Sequence, residues 1–279
     1  MTMVKEFQDK FATVNEMKFH YLDWGAGGKP KMLLLHGGAQ TAHSWDEFSR
    51  AVRKDYHVIA LDQRGHGDSA WARDGVYTRG EHLKDITGFT KAVGLDRFLL
   101  IGLSMGGMNS IVYTAAHPDQ VERLVIVDVG PEINKKGTDN IRQFVSGPDV
   151  LDNLEAFVER AHTFNPRRSL ENLRERLRWN LRQLPNGKWT WKYDQAFRDT
   201  KRGFDAGDRA TLWEDVKRIT CPTLIVRGGE SDVLTPEAAE RLHKAIPGSK
   251  LVVVPKAGHT VNGDNPEGFL KAVREFLKG

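Results

Sequence analysis

The sequence is poor in cysteine, with Cys221 as the only one among 279 residues. A single thiol can form neither an intrachain disulfide nor a thiolate metal cluster. Because Cys221 precedes Pro222 at the start of an apolar run, we interpret it as a small buried residue rather than a nucleophile. An H-E-x-x-H motif or a comparable group of ligands is also missing, so we expect no metal site.

Long hydrophobic runs are absent as well. No apolar stretch approaches the roughly 20 residues of a membrane-spanning helix, and we expect no membrane contact. The N-terminus, MTMVKEFQDKF, carries charges where a signal peptide needs an apolar core, which favours a cytoplasmic protein. The net charge is only +4 at pH 7. The densest basic stretch, RRSLENLRERLRWNLRQL, is typical of a solvated helix face, so we expect no nucleic-acid partner.

Six short apolar runs are present: MLLLHG, HVIALD, RFLLIG, RLVIVD, TLIVRG and KLVVVP. Near-continuous apolar strands are typical of a parallel sheet that helices cover on both faces. Helical patterns separate the runs, and two of them begin with a capping residue before proline, at Thr235-Pro236 and Asn265-Pro266. The alternation predicts a doubly wound α/β sheet, with the N-terminal pair FQDKFATV and MKFHYLDWG as a hairpin at one edge.

The alternation stops after about Pro131 and resumes at CPTLIVRG. The stretches DVLDNLEAFVERAHTF and SLENLRERLRWNLRQL each place their apolar residues on one helical face. PNGKWTWKYD then supplies a turn and aromatic residues that we interpret as exposed. The sequence therefore predicts a helical insertion between two strands of the sheet.

Ser104 lies in the run GLSMGG, at the end of the strand RFLLIG and directly before helix-forming residues. Such a sharp turn puts the serine in a strained conformation, and side chains at Gly102 or Gly106 would collide across it. G-x-S-x-G alone is a weak signal in a chain with 27 glycines, but its place between strand and helix predicts a nucleophile elbow. The alternatives are a glycine-rich turn that contains serine by chance, and a dinucleotide loop, for which G-x-G-x-x-G is missing.

A serine nucleophile needs a base within hydrogen-bond reach and an acid that orients the base. His259 follows the last strand in a glycine-flanked loop, on the same carboxyl edge of the sheet as Ser104, and we predict it to be the base. For the acid we favour Asp232, in the loop after the penultimate strand. Asp128, at the end of RLVIVD beside the serine's strand, is the main alternative, and Glu230 is a further one.

Acyl transfer also produces an oxyanion, which two preorganised N–H groups must stabilise. Met105, the residue after the nucleophile, is one predicted donor. The second should come from the loop LLLHGGAQTAHSW, where Gly38 is the better candidate and Ala39 the alternative. Glycine there lets the backbone approach the substrate closely.

With these residues the chain resembles the α/β-hydrolase superfamily, in its serine-nucleophile, esterase/lactonase-like branch. The matching segments cover nearly the whole chain in the family's order: HGG at 36–38, LDQRGHGDS at 61–69, GLSMGG at 102–107, GGESDVLTP at 228–236 and AGH at 257–259. The resemblance implies a mostly parallel eight-stranded sheet with helices on both faces. It also implies a helical cap over residues 134–215, inserted into a core of 1–133 and 216–279, and a hydrolase without a cofactor.

A serine at the nucleophile position points to acyl transfer, because relatives that form alkyl-enzyme esters use aspartate there. We expect a hydrolase of carboxylic esters or lactones with small to medium, mainly apolar groups. The alternatives are a C–C bond hydrolase, an amidase, a perhydrolase or a non-catalytic small-molecule receptor. Monomer and dimer both stay open. Aromatic residues are the candidates for the pocket lining: Trp45, Phe144, Phe164, Trp189 and Trp191.

Overall fold

The computed structural model describes residues 6–25, 27–199 and 209–279. In chain order the strands are β1 (Gln8–Val14), β2 (Met17–Asp23), β3 (Lys31–Leu35), β4 (His57–Leu61), β5 (Phe98–Leu103), β6 (Val121–Val127), β7 (Val150–Leu151), β8 (Leu181–Gln183), β9 (Trp189–Trp191), β10 (Thr223–Gly228) and β11 (Lys250–Val254). The helices are α1 (Asp46–Val52), α2 (Arg79–Ala92), α3 (Met105–Ala116), α4 (Lys135–Val145), α5 (Leu154–Phe164), α6 (Leu170–Asn180), α7 (Arg209–Lys217), α8 (Pro236–Ala245), α9 (Val261–Asp264) and α10 (Pro266–Lys278). Two 3₁₀ turns cover Ala42–Trp45 and Gln195–Arg198.

The main sheet has eight strands in the order β1-β2-β4-β3-β5-β6-β10-β11. The strands β1 and β2 form the predicted antiparallel hairpin at one edge, and β2 pairs with β4 antiparallel. The other pairs, from β4 through β11, are parallel. The six apolar runs are these six strands, so the prediction of a mostly parallel eight-stranded sheet is confirmed. Their carboxyl ends meet at one edge, where ligands bind in open α/β sheets.

Consecutive residues of the central strands point to opposite faces of the sheet and enter two separate cores. On one face Leu100 packs in a cluster with residues of α2, α3 and α7. On the other face Ile101 packs with α1 and α10, through Phe48 and Phe269. The predicted helix starts are confirmed too, since α8 and α10 begin at the expected prolines and the capping residues before them accept backbone hydrogen bonds.

The segment between β6 and β10 differs from the prediction, because it holds a three-stranded antiparallel sheet, in the order β7-β9-β8, beside its helices. We call 134–215 the cap segment. Trp191 in β9 packs edge-on against Phe157 of α5, with ring centroids 4.9 Å apart, and only 6% of its surface is exposed. Interpreting this aromatic as exposed was therefore wrong: the strand turns it toward α5 and α6.

The end of the predicted cap segment at residue 215 falls inside α7. Leu212 and Val216 of this helix are buried in the same core cluster as α3, so α7 packs as part of the core. Residues 200–208 of the cap segment lie outside the described residues. Cys221 is partly buried rather than fully buried as predicted, and it packs against the core cluster of α3 and α7. Burial raises the pKa of its thiol, which disfavours the reactive thiolate. In the described part of the chain, every helix is too short or too polar to cross a bilayer.

Candidate active site

Ser104 occupies the tight turn between β5 and α3, with φ of 54° and ψ of −118°. A non-glycine residue pays about 1–3 kcal/mol for such a conformation, which persists only where its surroundings enforce it. A side chain at Gly102 would overlap the carbonyl of Gly106, and one at Gly106 would overlap the carbonyl of Leu35. The steric reason that the sequence suggested for the two glycines is thus confirmed by the geometry.

His259 lies between β11 and α9 and reaches the serine. Its Nε2 is 2.9 Å from Ser104 Oγ. On the other side of the ring, Nδ1 is 2.9 Å from Asp128 Oδ2. Because an ionised carboxylate can only accept hydrogen bonds, Nδ1 carries the proton and Nε2 is left to accept from the serine hydroxyl. Ser104, His259 and Asp128 therefore form one continuous hydrogen-bonded chain.

The carboxylate on the imidazole is that of Asp128 and not that of Asp232, which corrects our sequence-based preference. Asp232 is exposed, and its Oδ2 accepts a hydrogen bond from Asn140 Nδ2 at 2.8 Å. Glu230 is also exposed and pairs with Arg167. The loops after β6 and β10 meet at the same edge, but the β10 loop turns both of its acidic side chains outward.

Asp128 is fully buried and held by several donors. Its Oδ1 accepts from the backbone N–H of Gly228 at 2.8 Å, and its Oδ2 accepts from the Ser231 hydroxyl as well as from His259. Asp128 has a φ of 51°, a region that aspartate tolerates better than most residues. Ser231, which sequence reasoning missed because nothing in its neighbourhood marks it, thus fixes the acid from the β10 loop.

The loop after β3 runs directly beside the serine, since a Cβ at Gly37 would lie 3.4 Å from the Cβ of Ser104. The N–H of Ala39 donates to His66 Nε2 at 3.1 Å. Within the described residues, no hydrogen-bond acceptor is found for the backbone N–H of Gly38 or of Met105. Of the two candidates in this loop, Gly38 rather than Ala39 has an N–H available for a ligand.

His66 keeps this loop in place as a neutral imidazole. Burial and, to a smaller extent, the nearby His36 ring lower its pKa to about 3. Its Nδ1 lies 2.9 Å from the carbonyl of Arg64 and donates to it, so Nε2 remains the acceptor for Ala39. Through His66, the LDQRGHGDS segment therefore supports the loop after β3.

The five aromatic residues predicted to line the pocket fall into two groups. Trp45 is fully buried in the core between Phe48 and Phe269, so its assignment to the pocket lining is wrong. The others lie together in the cap segment: Phe144 stacks on Phe164 with centroids 4.5 Å apart and meets Trp191 edge-on, and Trp189 is partly buried beside them. Their apolar cluster contacts the core at Ala39.

Phe197 is an aromatic residue of the site that the sequence did not indicate. Its ring lies 3.3 Å from where a Cβ of Gly38 would be and packs edge-on against His66. Phe197 and the cap cluster at Ala39 therefore form apolar walls on the loop that carries the free N–H of Gly38.

One group of possible metal ligands occurs among the described residues, formed by His20, Asp62 and the exposed Asp68. His20 Nδ1 already bonds Asp62 Oδ2 at 2.7 Å. Asp62 also accepts from the backbone N–H groups of Ala42 and Asp68. Its oxygens are thus taken up by protein donors that hold the loops after β3 and β4.

The chain is similar to known proteins over most of its length. A family model for the alpha/beta hydrolase fold matches residues 30–266. An esterase of Mycobacterium tuberculosis, Rv0045c, is 32% identical over 263 residues, which cover 92% of this chain and 85% of the relative. The 2-(acetamidomethylene)succinate hydrolase of Mesorhizobium japonicum is 29% identical over 90% of this chain and 89% of its own.

Solved structures give the same result. A crystal structure of E-2-(acetamidomethylene)succinate hydrolase superposes with a TM-score of 0.88 at 25% identity, and the match covers 98% of this chain and all of the other. The sheet order, the turn at Ser104 and these matches lead to one conclusion: the chain belongs to the α/β-hydrolase fold family.

Proposed function

We propose that the protein is a serine hydrolase that cleaves carboxylic esters and lactones with small to medium, mainly apolar groups. The observation that carries the proposal is the continuous chain from Ser104 Oγ through His259 to the buried Asp128, with 2.9 Å at both contacts of the ring. A hydroxyl needs such a base, in such a tautomer, to attack a carbonyl at neutral pH.

In the first half of the reaction Ser104 attacks the carbonyl carbon while His259 Nε2 takes the hydroxyl proton. Asp128 stabilises the imidazolium that forms and keeps Nδ1 protonated throughout. The backbone N–H groups of Gly38 and Met105 stabilise the oxyanion, and removing one such donor typically costs about 100-fold or more in rate. Nε2 then protonates the leaving alkoxide, and the acyl group stays on the serine.

In the second half His259 accepts a proton from water, which attacks the acyl-enzyme through a second oxyanion. Collapse of that intermediate releases the acid and returns the proton to Ser104. Because only neutral His259 can accept a proton, the rate of the chemical step should fall as the pH is lowered. A rate that stays constant between about pH 8 and pH 5, with chemistry limiting, would contradict this mechanism.

The apolar character of the substrate is supported by the walls of the site. Phe197 borders Gly38, and the aromatic cluster of the cap segment borders Ala39. Burying a methylene group against such walls contributes about 0.8 kcal/mol, so chain length should change the specificity constant several-fold per step. The relative from Mycobacterium tuberculosis is an esterase, which supports the choice of an ester substrate.

The experiment is the hydrolysis of a chromogenic ester series from acetate to octanoate, with a lactone panel, by the wild-type protein and by Ser104→Ala. We expect turnover that depends on Ser104 and falls by about 10³-fold or more in the variant. Folded wild-type protein that turns over neither esters nor lactones would overturn the proposal. We would then test the alternative functions, namely a C–C bond hydrolase, an amidase, a perhydrolase or a small-molecule receptor.

A further inference from the structure

Asp264, at the end of α9, holds both neighbours of His259. Its Oδ2 accepts from the backbone N–H of Gly258 at 3.0 Å, and its Oδ1 accepts from the hydroxyl of Thr260 at 3.0 Å. The carboxylate side chain has no solvent exposure. Asp264 therefore fixes the backbone of the short loop that carries His259, whereas Asp128 bonds the imidazole ring itself.

The same carboxylate is bonded by the cap segment. In the connection between α5 and α6, Asn165 Nδ2 donates to Asp264 Oδ1 at 2.9 Å and Arg168 Nε donates to it at 2.8 Å. Arg168 Nη2 also lies 3.3 Å from the carbonyl of Thr260. Two residues of the cap segment thus converge on the group that brackets His259.

The fit between cap and loop depends on a missing side chain. A Cβ at Gly263 would overlap the guanidinium groups of both Arg168 and Arg176. Arg176 continues the contact along α6, where its Nη2 donates to the carbonyl of Ser44 at 2.9 Å. The two cap arginines therefore lie directly on the turn of α9.

The charges at this contact favour the ion pair. Burial alone would raise the pKa of the Asp264 carboxyl, but the Arg168 guanidinium and the other donors outweigh it and hold the pKa below its usual range. A buried carboxylate that loses its cation is left uncompensated, which is far more costly than losing a pair at the surface. Without Arg168, an unpaired carboxylate would remain directly beside the loop that carries His259.

From these contacts we propose that Asp264 is a positioning residue that couples the cap segment to catalysis: seating of Arg168 and Asn165 on its carboxylate holds His259 in line with Ser104 and Asp128. This inference rests on the proposed function for the roles of Ser104 and His259. It adds that the cap does more than enclose a substrate, because it helps to assemble the base.

The chain offers a matched control beside Arg168. Arg167 belongs to the same connection and its guanidinium also comes near Gly258. Its ion-pair partner is the exposed Glu230, and the side chains of that pair are 35% and 51% exposed, against 9% and 0% for Arg168 and Asp264. Arg167 Nη1 also lies 3.5 Å from Asn165 Oδ1, a contact at the limit of a hydrogen bond. Arg167→Gln therefore removes the same charge near the same loop without touching Asp264.

The experiment compares Arg168→Gln, Asp264→Asn and Arg167→Gln for kcat and KM on a short ester, and for the rate at which a fluorophosphonate labels Ser104. We expect kcat and the labelling rate to fall about 10-fold to 100-fold in the first two variants, as for other residues that orient catalytic groups, with KM changed less than about threefold. Arg167→Gln should stay within about twofold of the wild type in all three values. The downfield proton resonance of His259 Nδ1–H should broaden only in the first two variants.

Two outcomes would overturn the inference: equal effects of Arg168→Gln and Arg167→Gln, or variants that lose only melting temperature or KM while kcat, labelling and the proton resonance persist. Should Asp264→Asn fail to fold, Gly263→Ala replaces it, because the added methyl displaces the cap guanidiniums and keeps every charge. If the wild-type protein neither turns over esters nor reacts with the fluorophosphonate, the proposed function has failed. The resonance comparison alone then decides whether the cap positions His259.

Discussion

Asp128 and Asp232 follow neighbouring parallel strands, β6 and β10, at the same edge of the sheet, but their surroundings differ completely. Asp128 is fully buried and accepts from His259, Gly228 and Ser231. Asp232 is exposed and bonds Asn140 of α4. Topology thus brings both carboxylates to the active edge, and only the local turn decides which one faces the histidine.

The difference between the two turns begins at the backbone. Asp128 comes directly after β6 with a φ of 51°, which directs its carboxylate along the edge toward His259. In the β10 loop it is Ser231 that points inward, and the next residue, Asp232, points out. A shift of one residue in this turn would exchange their positions, and the sequence contains no signal for that register.

The largest effect should come from replacing each aspartate by its amide. Asp128→Asn should lower kcat by about 10⁴-fold, because an amide in this position stabilises the wrong imidazole tautomer and cannot balance the imidazolium. Asp232→Asn should remain within about threefold of the wild type. The measurement is kcat on the best ester of the chromogenic series, with circular dichroism as the control for folding.

The reverse order of these two effects would restore Asp232 as the acid and would show that the β10 loop rearranges in solution. Equal, small effects would mean that the base works without an orienting carboxylate, which would contradict the mechanism proposed for His259.

A second test moves the acid from one strand to the other. The Ser231 hydroxyl bonds the same oxygen of Asp128 that receives His259 Nδ1, so a carboxylate at position 231 lies close to the ring. The double variant Asp128→Asn with Ser231→Asp should have a kcat about 10-fold or more above that of Asp128→Asn. The mechanism needs a carboxylate beside His259 Nδ1, whichever strand supplies it. Asn suits position 128 because it also tolerates positive φ.

The matched control for this exchange is Ser231→Asp alone, which places a second carboxylate beside that of Asp128. Because two adjacent carboxylates repel each other, we expect the pair to share one proton. An exchange variant no faster than Asp128→Asn would show that the backbone position of Asp128, and not only its charge, is required.

A smaller effect is expected for Ser231→Ala, which removes one donor from Asp128. A hydrogen bond to a charged group contributes about 1.5–3 kcal/mol. Because only part of this free energy serves to orient the Asp128 carboxylate, we expect Ser231→Ala to lower kcat by about 10-fold. In the Asp128→Asn background the same change should cost less than about twofold, because its target is gone. Comparable losses in both backgrounds would mean that Ser231 acts on something other than the acid.

The parts of the site that the sequence predicted correctly are those in which one short segment determines the geometry. The turn at Ser104 requires glycine at 102 and 106, because a Cβ at either position would overlap a neighbouring carbonyl group. The six apolar runs fix the parallel strands in the same way, because each must be buried on both faces. The place of His259 after the last strand then follows from the topology.

The parts that were missed depend on contacts between distant segments. The choice between Asp128 and Asp232 depends on how the loops after β6 and β10 are directed. These loops are far apart in the chain, since the bond from Gly228 to Asp128 joins residues separated by 100 positions. Trp45 lies only a few residues beyond the HGG loop, yet the 3₁₀ turn sends its ring into the core. The short strands of the cap carry too few residues for periodicity to show, so only the helices there were predicted.

The smallest effect is expected for the stability contribution of Asp232. Among the described residues its carboxylate has one hydrogen-bond donor, the exposed Asn140 amide, so Asp232→Ala should change the free energy of unfolding by no more than about 0.5 kcal/mol. Asn140→Ala should give the same small change, and the double variant should show almost no extra loss, as measured by urea denaturation. A loss above about 2 kcal/mol would mean that this carboxylate anchors the cap to the β10 loop. Asp232 would then have a structural importance that its exposure conceals, and its contrast with Asp128 would hold for catalysis alone.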